Sequence, residues 1–344
     1  MEKDQAETGA PAPCKTNMQS KRKPKKMREA LKQEEQEITR FRRFWEDCYG
    51  DFFGSFDDTT VVPPMNYTFG LASVPKYAIP DNTLQIFSVK VTQLIEEEGL
   101  RWPLHVFGLI AIRDSIDPRR NILFHRERDH CQTITEEEPF LLLTGPSRAP
   151  VLIDPVRIEV QLKAKGKSVL KDKGLIFDVL TTMPACSYPH HPRMFTCDLD
   201  GIRGNLEFTL AVLQRSVEAT IRVKVVDGRW HGGMSARVSA HTASIDHGDI
   251  VLLDSGDGLV PNNTSGIIQL SRRVVSVELS GELNVVVEAK CLNRVIKKLA
   301  TFNPKMAGSS YATLKFSFCA LGITVAWSQF SRLVPGQPGP AVYH

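Results

Sequence analysis

The fold of this chain is decided by two segments that alternate apolar and polar residues without a fault, VRIEVQLKA at 156–164 and VEATIRVKV at 217–225. Successive side chains of a β-strand point to opposite faces, so this period of two predicts half-buried strands. Further strands are predicted over 84–91, 105–113, 140–143, 274–279, 283–290, 314–318 and 323–327. We therefore expect a mainly β body built of antiparallel, β-sandwich-like sheets.

Short segments of this body recur in the same order about 130 positions later. The pairs are Ser88–Val91 with Arg222–Val225, Asp114–Asp117 with Ala243–Asp246, Ser147-Arg148 with Ser271-Arg272, and Ala164-Lys165 with Ala289-Lys290. Their shared order predicts an internal duplication, with a first β half over 84–183 and a second over 204–330. Valine-rich strands also resemble one another without common origin, and that alternative stays open.

Five other segments surround the two halves. We expect a disordered basic tail over 1–26, an amphipathic helix over 27–48, an extended connector rich in glycine and proline over 49–83, a loop rich in proline, histidine and cysteine over 184–203, and a flexible C-terminal tail over 331–344. The helix has one apolar face, which includes Phe41 and Trp45. We expect this face to dock on the following domain, with self-association or partner binding as the alternative.

The 344 residues are 42% apolar and 24% charged, a composition that excludes a disordered or collagen-like chain. The formal net charge is +4, and 12 of the 43 basic and 9 of the 39 acidic residues lie in 1–48, which leaves 31 and 30 in the rest. The excess therefore belongs mainly to the tail. We expect nucleic-acid contact, if any, only there.

A basic patch stands near the end of this tail, formed by Lys21, Arg22, Lys23, Lys25 and Lys26. Such runs direct nuclear import or contact nucleic acid, and a merely solvated tail is the alternative.

The seven cysteines are an odd number, widely spaced, with no export signal before them, which favours reduced thiols and a cytoplasmic or nuclear location. The longest apolar run, 106–112, is far shorter than the roughly 20 residues of a membrane helix, so no transmembrane segment is expected.

Two groups of residues have the chemistry of metal ligands. The first contains Cys186, His190, His191 and Cys197, a mixture that suits zinc, although adjacent histidines rarely converge on one ion and an exposed linker is the preferred interpretation. The second comprises aspartates in corresponding loops, Asp114, Asp117, Asp129, Asp246, Asp249, Asp254 and Asp257, which would suit calcium. Neighbouring arginines favour ion pairs instead, of Asp114 with Arg119 or Arg120. We therefore predict no metal, no cofactor and no catalytic residue.

Longer segments resemble a known family. They include Thr83–Val91, Trp102–Gly108, Ala111–Asp117 and Leu143–Ala149 in the first half, and Ser216–Thr220, Ser239–Ala243, Leu252–Asp257 and Leu270–Glu278 in the second. Together they resemble the grass-abundant plant family of domain of unknown function six-five-nine-eight, over about residues 27–330. The family has no established activity. Because some relatives are joined to ribosome-inactivating rRNA N-glycosidase domains, the resemblance implies a defence or stress context.

The nearest imitation of the N-glycosidase pattern is Glu218 with Arg222, but their spacing is four where the toxin helix uses three, and both fall on a strand among solvent-facing positions. Neither a G-x-x-x-x-G-K-[ST] loop nor a G-x-S-x-G elbow occurs. We therefore predict a non-catalytic interaction or accessory module with a protein partner. The alternatives are a ribosome-inactivating rRNA N-glycosidase or its accessory domain, and a calcium-dependent membrane-binding module. The sequence predicts neither the partner nor the oligomeric state.

Overall fold

The computed structural model of the chain describes residues 25–69, 78–95, 99–183, 194–230, 233–245, 248–256, 260–261, 265–291 and 294–331, called the described residues below. Most of the basic tail and residues 332–344 lie outside them. Among the described residues, no helix is long and apolar enough to cross a membrane.

The described part of the chain is mainly β. Two helices come first, α1 (Lys25–Cys48) and α2 (Gly50–Phe53). The strands are β1 (Asp81–Leu94), β2 (Leu104–Arg113), β3 (Asn121–Arg126), β4 (Gln132–Ile134), β5 (Arg157–Ala164), β6 (Lys173–Thr181), β7 (Met194–Asp200), β8 (Gly204–Gly228), β9 (Ser235–Thr242), β10 (Ile250–Asp254), β11 (Ile267–Ile268), β12 (Val274–Glu278), β13 (Leu283–Cys291), β14 (Arg294–Phe302), β15 (Gly308–Lys315) and β16 (Cys319–Ser328). The mainly β fold class predicted from the alternating segments is confirmed.

The strands form three antiparallel sheets. One has the order β3-β2-β5-β6 with β4 also on β2, and another has the order β10-β9-β13-β14. The third has the order β1-β8-β16-β15, and β7, β11 and β12 also pair with β8. The first of these sheets packs on β1, β7 and the beginning of β8, whereas the second packs on the rest of β8 with β12, β15 and β16. The result is two packed cores that share strand β8, with Phe87 of β1 also reaching the second core.

Strand β8 sends alternate side chains into the two cores. Phe208 and Leu210 belong to the first core, whereas Val217 and Ile221 belong to the second. These pairs are even-numbered and odd-numbered, and alternate side chains of a strand point to opposite faces, so the two cores lie on opposite faces of β8.

The same strand pairing occurs twice. In the first half β2 pairs with β3 and β5, β5 with β6, and β8 with β1 and β7; in the second half β9 pairs with β10 and β13, β13 with β14, and β16 with β8 and β15. Lys90 lies opposite Phe140 as Lys224 lies opposite Ile267. This repeated topology supports the duplication. The division into halves over 84–183 and 204–330 remains a proposal, because β8 contributes to both cores.

The sequence pattern does not predict β3, β4, β6, β7, β9, β10, β11, β14 and most of β15. Most of these strands carry no clear alternation. Strand β14 shows why, because it is the edge of its sheet and most of its residues are exposed. Strand β7 occupies part of the loop expected over 184–203, and α2 lies within the expected connector. An edge strand has too few buried positions to produce a visible period of two. The strand predicted over 140–143 is wrong, because only Phe140 forms an isolated bridge there, with Lys90.

Helix α1 packs against the first half through its aromatic face. Phe41, Trp45 and Phe56 form a small buried cluster, with Val179 of β6 packed against it. The Arg113 guanidinium carbon lies 4.6 Å from the Trp45 ring centroid and 4.3 Å from that of Phe56, both within cation–π range. The helix therefore shields the Arg113 guanidinium from solvent.

Replacing Trp45 with alanine should destabilise the protein by about 3–5 kcal/mol, because this fully buried ring has no alternative packing. The matched control is Phe52→Ala, since Phe52 is 72% exposed in the neighbouring helix and its loss should change stability by less than about 0.5 kcal/mol. Urea denaturation of both variants measures the difference. Equal free energies of unfolding would contradict the docking.

Candidate functional site

The described loops of the first half contain five buried charged residues, each paired with an opposite charge, namely Asp114, Asp117, Arg119, Arg120 and Arg148. Arg148 donates two hydrogen bonds to Asp114, at 2.6 Å and 2.7 Å. The expected pairing of Asp114 with Arg119 or Arg120 is wrong, since Arg119 pairs with Asp117 and Arg120 with Glu159. Residue 148 lies 34 positions after Asp114, so local spacing gave no sign of this pair.

The Asp117 carboxylate is held as a charged group. Burial favours a raised pKa for Asp117, but hydrogen bonds from Arg119 and Thr60 outweigh burial and hold that pKa below its ordinary value. Asp117 therefore acts as an anchor for the loop and the connector.

The other described aspartates proposed as calcium ligands each lie near at least one basic side chain. Asp129 is 3.6 Å from Lys165, Asp254 is 3.0 Å from Arg237, and Asp249 is 3.9 Å from His241. Asp246 and Asp257 lie outside the described residues. Within the described ranges, no three His, Cys, Asp or Glu side chains form a group that could hold a metal ion.

The zinc candidates and the basic patch fall largely outside the described residues. Cys186, His190 and His191 are among those not described, as are Lys21, Arg22 and Lys23. Cys197 lies on β7, where burial, with a smaller contribution from the Asp198 charge, raises the pKa of its thiol. Lys25 and Lys26 are the first residues of α1.

Glu218 is not solvent-facing, so that expectation is wrong. Its side chain is on the predicted strand, but the residue is only 4% exposed. One carboxylate oxygen accepts a hydrogen bond from the Met65 N–H and the other from the Ala149 N–H, both at 2.8 Å. Burial nevertheless raises the pKa of Glu218. The period of two correctly predicted that Glu218 points away from the second core. It could not show that the connector and a first-half loop cover that face of the strand.

Arg222 is exposed, as predicted, and faces a different space from Glu218. Four residues along a strand separate their Cα atoms by about 13 Å. The cavity beside Glu218 holds about 20 Å³, room for roughly one water molecule. The two side chains therefore do not surround a site in which a nucleoside could sit.

Arg222 instead lines an open groove of about 470 Å³, which we call the arginine groove. Its lining comprises Thr220, Ile221 and Arg222 of β8, Thr324 and Ala326 of β16, residues 267–270 and Arg273 beside β12, and Met65 and Phe69 of the connector. No ion pair links Arg222 or Arg273 to an acidic side chain in the described part of the chain. The sequence predicted that Arg222 lies on an outer face. It contained no signal that Arg273 or Phe69 would lie in the same groove.

Comparisons with known proteins give one family and no informative structural neighbour. No curated protein matches the chain. Human GIVD cytosolic phospholipase A2 is 9% identical, with a TM-score of 0.23 over 76% of this chain and 33% of that chain. Its complex with methyl gamma-linolenyl fluorophosphonate is 8% identical, with a TM-score of 0.22 over 73% of this chain and 32% of that chain. The chain thus spans about a third of these structures, and the TM-scores are too low to support an argument about fold or function.

The family model "Domain of unknown function (DUF6598)" matches residues 83–325. This range runs from β1 into β16 and so includes both cores and the second-half side of the arginine groove. The chain therefore belongs to the DUF6598 family.

Proposed function

We propose that this protein is a non-catalytic β-sandwich interaction module. The observation that carries the proposal is the state of Glu218, the acid that an N-glycosidase interpretation needs. Both of its carboxylate oxygens already accept backbone N–H groups, and the space beside it holds about one water. Its role is to fasten two loops to β8, and an acid with that task has no free access to a substrate.

The other buried charges support the same conclusion. Arg148 with Asp114, and Arg113 with Glu159, are occupied in joining loops and strands of the first half. Removing one partner of such a pair leaves an unpaired buried charge and costs about 3–5 kcal/mol of stability. A charge held in this way is therefore poorly suited to take part in catalysis. We further propose a defence or stress context in a plant cell, which the family resemblance implies, and a cytoplasmic or nuclear location, which the odd number of widely spaced cysteines favours.

A cell-free translation assay tests the proposal against the ribosome-inactivating alternative. At micromolar protein the lysate should translate at its normal rate, with either the wild-type chain or Glu218→Gln. Inhibition by the wild type that disappears in the variant would establish glycosidase chemistry at Glu218 and end the proposal.

The stability of the protein should depend on pH through Glu218. Burial raises its pKa above the ordinary value of 4.5 in the folded state, so the folded protein binds more protons there than the unfolded chain, and its contribution to stability falls as pH rises from the ordinary pKa through the raised one. Glu218→Gln removes this dependence, while the exposed control Glu136→Gln should keep it. Urea unfolding across that range measures the difference. A wild-type advantage over Glu218→Gln that grows with pH would mean that folding lowers this pKa, and it would contradict the prediction.

We also propose that the basic patch directs nuclear import. Replacing Lys21, Arg22, Lys23, Lys25 and Lys26 with glutamine should abolish nuclear accumulation of a fluorescent fusion, because import receptors recognise such basic runs. Replacing Arg40 and Arg43 of α1 with glutamine is the control for general loss of positive charge. Unchanged nuclear accumulation without the patch would leave it as a solvated tail.

A further inference from the structure

We propose that the arginine groove binds an acidic segment of a partner protein, with the segment's carboxylates on Arg222 and Arg273 and an apolar side chain against Phe69. The inference rests on the proposed interaction function. It adds the surface and the chemistry of the ligand.

Strand pairing brings the two arginines to the same groove. Ile221 enters the second core, so its neighbour Arg222 projects from the opposite face of β8. The Ile221 N–H donates a 2.8 Å hydrogen bond to the Arg273 carbonyl oxygen, which fixes Arg273 immediately beside this point of β8. Both arginine residues are exposed and both line the groove.

The rim of the groove is tied to the sheet at three places. The Met65 N–H binds Glu218, the Tyr67 N–H donates to the Ser328 hydroxyl at 3.0 Å, and the Thr68 hydroxyl donates to the Trp327 carbonyl oxygen at 2.6 Å. Met65 has a φ of 60°, an unfavourable left-handed conformation that these bonds hold in place. Glu218 is thus a positioning residue for the rim.

This fixed turn presents an apolar side chain to solvent. Phe69 follows Thr68 directly, is 63% exposed and lines the groove together with Met65, Ile267 and Leu270. A single exposed phenylalanine is ordinary, but this one lines the same groove as Ile267, Leu270 and two arginines. The groove therefore offers one apolar contact and two cationic contacts.

The charges of the groove lack a counterpart among the described residues. Glu218 is the acid on the same face of β8, and its carboxylate is turned to backbone N–H groups under the connector. Lys224, the next polar residue along that face, is also basic and exposed. An arginine guanidinium matches a carboxylate in a bidentate geometry, so a carboxylate-bearing ligand completes the site.

Size and net charge favour a peptide over a polyanion. The groove, of about 470 Å³, lies within the range of small ligand sites, about 300–1,000 Å³. Nucleic acid needs several phosphate contacts and a basic surface, whereas residues 49–344 carry 31 basic and 30 acidic side chains. A short acidic segment with an aromatic or aliphatic residue fits both the volume and the mixed lining.

Fluorescence anisotropy with the full chain tests the proposal. The probe is a fluorescein-labelled peptide in which glutamate alternates with tyrosine, and the matched probes are its glutamine counterpart and an oligothymidylate of equal charge. The acidic peptide should bind at least about tenfold more tightly than either matched probe. The double variant Arg222→Gln, Arg273→Gln should weaken binding by at least about tenfold, and Phe69→Ala, which keeps both charges, should also weaken it. Arg294→Gln, an exposed arginine on β14, should bind as the wild type does.

Three results would overturn the proposal. The first is no binding of the acidic peptide at about 1 mM, and the second is equal binding of that peptide by the wild type and the double arginine variant. The third is oligothymidylate binding that is as tight as that of the peptide and is weakened equally by the double arginine variant, which separates the groove from the basic tail. Urea unfolding should give the same stability for the wild type and the variants, because the replaced side chains are exposed. A negative binding result would reject the groove as the binding site without changing the result of the translation assay. Only inhibition in the translation assay would reject the non-catalytic function, so the two failures are distinguishable.

Discussion

The rest of the structure depends on strand β8, which two β-sandwiches share. One stretch of 25 residues supplies even-numbered side chains to the first core and odd-numbered side chains to the second. Between Leu210 and Ile221 it is buried except at Gln214 and Arg215. A strand covered on both faces cannot send its polar side chains into water, so each must find a partner inside the protein. Glu218 is the clearest case, and its two backbone partners are the connector and a first-half loop.

Two buried arginines at matching positions of the proposed repeat have different partners. Arg148 and Arg272 occupy matching positions in the sequence repeat. Arg148 is paired with Asp114, whereas the matching position in the second half is Ala243. Arg272 instead donates to the carbonyl oxygens of Ile86, Phe87 and Val251.

Burial without a nearby acid lowers the pKa of Arg272 to about 9. Its three hydrogen bonds link β1 of the first half to β10 of the second. In the first half an ion pair closes a loop, and in the second an arginine joins the two halves through backbone oxygens. The sequence repeat thus preserves the arginine while its partner changes.

Sequence patterns predicted the strands that alternate apolar and polar residues. They did not predict which polar positions are buried by tertiary contacts with other segments. The faultless alternation of 156–164 and 217–225 located β5 and the second part of β8, because each buries one regular face. It could not show that Glu159 and Glu218, both at polar positions, are buried. Arg113, which binds Glu159, packs under the aromatic residues of α1 and the following turn, and the connector covers Glu218. The arginine groove was missed for the same reason. Arg222, Arg273 and Phe69 are far apart in the chain. The pairing of β8 with β11 and β12 brings the two arginines together, and the hydrogen bonds of the connector to Glu218, Ser328 and Trp327 bring Phe69 to the same groove.

Hydrogen exchange measured by mass spectrometry tests most directly whether β8 makes the two sandwiches one cooperative unit. Strands β5 and β13 lie at matching positions in the two outer sheets, and neither contributes to the shared sheet. If β8 couples the cores, both strands should exchange through the same global opening, with opening free energies within about 1 kcal/mol of each other at low denaturant. A difference of several kcal/mol, with one strand exchanging while the other stays protected, would show that the halves unfold separately and would contradict the shared-strand account.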